Sequence, residues 1–186
     1  QLGDRGVVMC GIANPIHIVA DLLGSELLAI WSIQHRDVIL KLIYTLLERT
    51  CELLDQQLAA GVGPVFSMLG EEYVTPPLHS ARDFREFCIE PEKAISRRIH
   101  EAGCLLHTHC HGPLDDVLED FIDLGSDALH PIEAPPLGNV TIEEAKRRLA
   151  GKVCIEGNIR IGDIYAAPTQ LIIDEVKRNI EVAAPG

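Results

Sequence analysis

Short apolar runs alternate along the chain with longer segments whose apolar residues recur every three or four positions. The short runs GVVMCGI (6–12), PVFSMLG (64–70), CLLHTHC (104–110), ALHPIE (128–133) and VCIEGNI (153–159) predict five strands, most of them bounded by Gly or Pro. From Asp37 to about Ala60 the apolar positions form a broad helical face, and Gly61 supplies the stop. SARDFREF and PEKAISRRIHEAG read as two helices, with Pro91 suited to the first turn of the second. PLDDVLEDFIDLG (113–125) predicts a helix opened by Pro113 and closed by Gly125. TIEEAKRRLAG (141–151) predicts another, with Thr141 and Glu144 as a capping box. PTQLIIDEVKRNIEVAA reads as a closing helix, and the prolines in EEYVTPPLHS and APPLGN mark loops.

Five strands alternating with helices imply parallel β/α units. No GxGxxG follows the first strand and no Walker-type loop is present, so a nucleotide-binding doubly wound sheet lacks its signature. Polar groups gather instead at the ends of strands: Glu71 and Glu72, the histidines of HTHCHG, Glu133, and Glu156 with Asn158. The C-terminal strand ends of a (β/α)8 barrel build its active site, and these groups fall there. Five units are too few to close such a barrel. The expected class is therefore α/β, of TIM-barrel type and incomplete, with residues 1–186 forming one partial barrel domain. A chain that opens on Gln1 and closes on AAPG fits a piece of a larger barrel.

Composition narrows the partners. With 47% hydrophobic residues among 186, a disordered chain is excluded. A net charge of −12 disfavours nucleic acid and anionic membrane surfaces, which need a basic face. An aromatic content of 4% leaves little material for stacking bases. No apolar run approaches a membrane span without charges, and no secretory signal is evident. The six cysteines form no CxxC pair, which reads as reduced thiols in a cytoplasmic protein.

HTHCHG (107–112) carries the sharpest candidate chemistry. On a strand His107, His109 and His111 share one face, while Thr108 and Cys110 point to the other. Two imidazoles at i and i+2 can share a metal; equally, they can line a polar pocket or bond to backbone. Cys110 is expected to face the helix layer and is not counted as a ligand. One of Glu71 and Glu72 is expected to project into the mouth, the other to start a solvated loop. Glu133 suits a ligand, a ligand's partner or a general base. A carboxylate on the mostly apolar fifth strand is costly without a partner, which gives Glu156 a role, and Gly157 permits close backbone approach. His130 reads either as a site residue or as a satisfied core histidine.

Taken in order, the acidic pair after a strand, PPL…FREF, P-x-K…H-x-x-G, HxHG, GxDALxPIExPP and VxIxGNI resemble the uroporphyrinogen decarboxylase superfamily. The resemblance runs from about Gly6 to Gly186 and implies strands three to seven of a (β/α)8 barrel, without the first two and the last. The superfamily includes the decarboxylase of haem synthesis and the cobalamin-dependent methyltransferases. Zinc methyltransferases carry His-x-Cys-Gly at the fifth strand; here His109 matches the histidine, and His111 stands where the cysteine is expected. The histidine pair places the chain nearer that branch. The implied activity is methyl transfer between a methylated corrinoid and a zinc-activated thiol, with His109 and His111 as zinc ligands. His107 or Glu72 would bind or support the metal, and Glu133, Glu156 and Asn158 would serve substrate. The implied partners are a small-molecule thiol and a corrinoid protein. The alternatives are tetrapyrrole side-chain decarboxylation and a non-catalytic truncated barrel, whose open edges would favour a homodimer. Amidohydrolase-type enzymes also use His-x-His, but on the first strand, whereas two β/α units precede it here.

Overall fold

The computed structural model describes residues 3–184; Gln1 and the terminal Pro185-Gly186, on which the reading of the chain ends rested, lie outside it. Five strands form one parallel sheet in sequence order: β1 (Met9–Ala13), β2 (Val65–Leu69), β3 (Leu105–His109), β4 (Ala128–His130) and β5 (Cys154–Ile155). Each strand is followed by helix, as the alternating pattern requires. Helices α1 (Pro15–Gln34) and α2 (Arg36–Ala59) follow β1, α3 (Ala81–Phe84) and α4 (Glu90–Glu101) follow β2, and α5 (Asp120–Leu124) follows β3. Helix α6 (Ile142–Leu149) follows β4, and α7 (Ile161–Ala166) and α8 (Thr169–Ala183) follow β5. This is a five-unit arc of TIM-barrel type.

Strand alternation divides the sheet into two faces. Ile12, Phe66, Met68, Leu106 and Leu129 are buried in one cluster with helix residues such as Phe84, Phe87, Ile95 and Phe121. Each such side chain contributes about 1.5–3 kcal/mol by burial. The other face carries Met9, Leu69 and Leu105, which are 52%, 43% and 50% exposed, so these positions lack cover among the described residues. Register aligns Ser67 with His107, Leu69 with His109, and His109 with His130 on that open face.

Several elements depart from expectation for identifiable reasons. Helix α1, which no pattern above predicts, starts with Asn14 capping the amides of Ile16 and His17 and with Pro15 in its first turn. Within its 20 residues an 18-residue window reaches a mean hydropathy of 1.5, long and apolar enough by composition to cross a membrane, which corrects the expectation that no run approaches that length. The helix nevertheless bends at Gly24 (φ 75°, ψ 159°) and packs on α2, with Ile16, Val19, Ala20 and Leu28 buried. The two helices expected around Pro91 are one continuous helical run from Ala81 to Glu101. A π turn over Arg85–Ile89 widens the helix just before Pro91, which has no N–H to donate.

The helix expected over 113–125 contracts to α5 because its first turn is held from outside. Arg148 takes the Asp115 carbonyl at 2.7 Å and Arg85 the Asp116 carbonyl at 3.3 Å. At α6 only half the capping box forms: Thr141 accepts from the Glu144 amide at 3.3 Å, while the Glu144 carboxylate pairs with Arg147. Strand β5 ends after two residues, since Gly157 turns the chain at φ 65°.

Candidate functional site

The C-terminal ends of β3 and β4 bring four imidazoles together. His109 and His130 are register partners, their rings 4.8 Å apart and their Nδ1 atoms separated by 2.7 Å. At that separation one Nδ1 carries the proton and the other accepts it, leaving Nε2 of His109 as that ring's remaining nitrogen. His111 packs edge-on to His109 at 4.7 Å, and His107 stacks on His130 at 6.1 Å. Burial lowers the pKa of His109, and the nearby His111 and His130 lower it further. Burial likewise lowers that of His130. Both rings are therefore neutral at pH 7, and the ring that donates its Nδ1–H keeps the Nε2 lone pair for a cation.

Carboxylates orient these rings. Glu133 Oε2 accepts from the Gly112 amide at 2.9 Å and lies 3.2 Å from His111 Nδ1. His107 is nearly buried, with Nδ1 3.0 Å from Ser67 Oγ and Nε2 3.1 Å from Glu156 Oε2. Both of its nitrogens are thus engaged, which leaves none for a metal. Gly157 makes the approach of β5 possible: a Cβ there would lie 2.9 Å from His130 Cδ2 and 3.0 Å from its Nε2.

The predicted residues do not all converge. His109, His111 and Glu133 meet at the mouth, and His130, left open by the sequence, joins them. Its signal was its place one strand over, in register with His109. Glu156 reaches the group only through His107. Asn158 exchanges hydrogen bonds with Asn179 of α8 at 3.2 and 2.7 Å and lines a neighbouring cleft. That cleft, of about 670 Å³, runs from His111, His130 and Glu133 to apolar residues of α8 such as Val176 and Ile180.

Glu72 departs most. Glu71 is completely buried and Glu72 half-buried, so neither begins a solvated loop. Cys110 is buried on the helix side, as alternation requires, yet its Sγ and one oxygen from each of the two glutamates lie within 4.8 Å of one another. Cys110 thus faces the helix layer as expected and stands apart from the histidines, but beside two carboxylates. The cause is the loop after β2, which Gly70 (φ 116°) turns down behind the sheet; a Cβ on Gly70 would collide with His17 at 2.4 Å.

Residues 1–186 match the family model described as Uroporphyrinogen decarboxylase (URO-D). A search of curated proteins finds no match. Among solved structures, a methyltransferase from Methanosarcina mazei superposes with a TM-score of 0.74 at 19% identity. The superposition covers 98% of this chain and 51% of that one, so the chain spans about half the length of its structural neighbour. At that identity the likeness establishes the shared fold.

Proposed function

The chain belongs to the uroporphyrinogen decarboxylase family, and from that premise we propose that its histidine mouth serves methyl transfer from a methylated corrinoid to a thiol. The observation that carries this reading is the imidazole group with its carboxylate. His109, His111, His130 and Glu133 form a nitrogen and oxygen donor set of the kind zinc takes. His109 and His111 would hold the metal, and Glu133 would fix the tautomer of His111 through Nδ1. When bound, zinc supplies one thing: it keeps a substrate thiol as thiolate at neutral pH.

The chain's own residues do the rest. His107, held between Ser67 and Glu156, keeps the floor of the mouth rigid. The apolar wall of the cleft beside His111 shields a substrate's carbon chain from water, and the Asn158–Asn179 pair offers it a polar rim. In the transfer the thiol would give up its proton to solvent and its sulfur would take the methyl carbon, the electron pair of the broken carbon–cobalt bond staying on the corrinoid. A similar methyltransferase fold supports the reading without deciding it.

Tetrapyrrole decarboxylation, the activity for which the family is described, needs cations around the substrate's carboxylates. Arg160 lines the cleft, paired with Asp163 at 2.7 and 2.8 Å, and would have to leave that carboxylate to serve such a substrate. The test is methyl transfer from methylcobalamin to a small thiol, run beside conversion of uroporphyrinogen without added metal. Thiol methylation that disappears in H109A/H111A sustains the proposal; decarboxylation in metal-free protein replaces it.

A further inference from the structure

Behind the histidine face, on the helix side of the sheet, lies a second group that the reaction above does not use. It consists of Glu71 and Glu72, which follow β2, and Cys110, which follows β3. Glu71 and Cys110 are fully buried. Both carboxylate oxygens of Glu71, and Oε2 of Glu72, are buried and close no hydrogen bond. Asn14 has the same deficit: its Oδ1 caps α1, but its Nδ2 closes no bond. Glu92, also buried, accepts from the Cys88 thiol at 3.2 and 3.3 Å. None of these three glutamates forms an ion pair with Lys, Arg or His among the described residues.

Buried carboxylates without partners are among the costliest arrangements a fold can carry. A proton on Glu71 would remove the charge but not the deficit, because its O–H would need an acceptor and the other oxygen would remain unpaired. A cation answers both requirements at once.

We propose that Glu71, Glu72 and Cys110 bind a divalent transition metal of the zinc class, at a site separate from the histidine mouth. The donor set selects the metal. Two carboxylate oxygens and one thiolate sulfur suit zinc, whereas calcium and magnesium take oxygen ligands alone. Metal binding would displace the protons of Cys110 and Glu71 to solvent, so that the thiolate and two carboxylates face the ion. The bound metal joins the ends of β2 and β3 and fixes the backbone of Cys110, on either side of which stand His109 and His111. Its role is structural.

The test is metal analysis of the full chain, loaded with zinc and then freed of excess, in four forms: unaltered, H109A/H111A, C110S and E71Q. The site predicts that H109A/H111A retains about one equivalent, and that C110S and E71Q each hold about one fewer than the unaltered chain. Cobalt loading of the unaltered chain provides a measurement independent of how the variants fold. It should give the near-ultraviolet sulfur-to-cobalt charge-transfer band, absent in C110S. Loss of all metal with the histidine pair, or a cobalt-loaded protein without that band, overturns the site. The first of these results leaves the histidine mouth intact as a metal centre. Metal content that is unchanged in H109A/H111A but falls in C110S refutes the histidine ligands instead.

Discussion

Replacing Glu71 by glutamine should flatten the pH dependence of stability in metal-free protein. Burial, with the charge of Glu72 adding to it, pushes the Glu71 carboxyl up to about 8 from its ordinary 4.5. In the unfolded chain the same group ionises near its ordinary value. Below that value both states hold the proton and the group contributes no difference. As pH rises from about 4.5 to about 8 the unfolded state releases a proton that the folded state retains, so stability falls by about 1.4 kcal/mol per pH unit. Over the whole interval the loss amounts to about 5 kcal/mol, and it levels off above pH 8. Glu92 is also raised well above its ordinary range by burial and by Glu71, so the two carboxyls titrate as a pair. Glutamine removes the Glu71 step and eases that of Glu92. A pH-independent offset from the new amide shifts the whole curve without changing its slope. The assay is urea unfolding of both proteins in chelator between pH 4.5 and 9. The curves should diverge with rising pH, the glutamine form losing several kcal/mol less stability by pH 9. Parallel curves, or an unaltered protein whose stability rises with pH, would refute the reasoning.

Three further outcomes follow from the geometry. Gly157→Ala places a Cβ 2.9 Å from the His130 ring and strains a residue at φ 65°; metal affinity at the mouth should fall at least about tenfold, by titration, while far-ultraviolet circular dichroism is unchanged. Arg148→Met removes the bonds to Asp115 and Glu119 at 2.5 Å each; urea unfolding should show a loss of about 1–3 kcal/mol, because Arg148 is only 13% exposed and its loss frees the turn before α5. His107→Gln keeps the bulk but not both ring contacts with Ser67 and Glu156; metal content should stay the same while methyl-transfer turnover drops, a split that a metal ligand would not show.

Much of the architecture was legible because strand and helix differ in apolar period, and five short runs separated by helical ones admit few arrangements. The order of the sheet and the face carrying His107 and His109 both follow from alternation. Helix α1 was not legible as a helix: apolar residues surround its first half and Gly24 interrupts it, so no single stripe emerges. The cap at Asn14-Pro15 was the available signal. The site divides along the same line. His109, His111 and Glu133 lie on or just past predicted strand ends, and their meeting follows from the barrel rule. His130 needed the register between β3 and β4, which a sequence does not print. The burial of Glu71 and its approach to Cys110 depend on the turn at Gly70, a tertiary feature set by contact with His17.

The central claim is that His109 and His111 hold a metal that makes a thiol reactive toward a methylated corrinoid. It is tested most directly by measuring thiol methylation from methylcobalamin at matched metal loading, in the unaltered chain and in H109A/H111A. The account predicts methylation by the unaltered chain that is abolished by chelator and restored by zinc, and a double variant that stays folded without turnover. Equal turnover in the two proteins, or turnover indifferent to chelator, would contradict it.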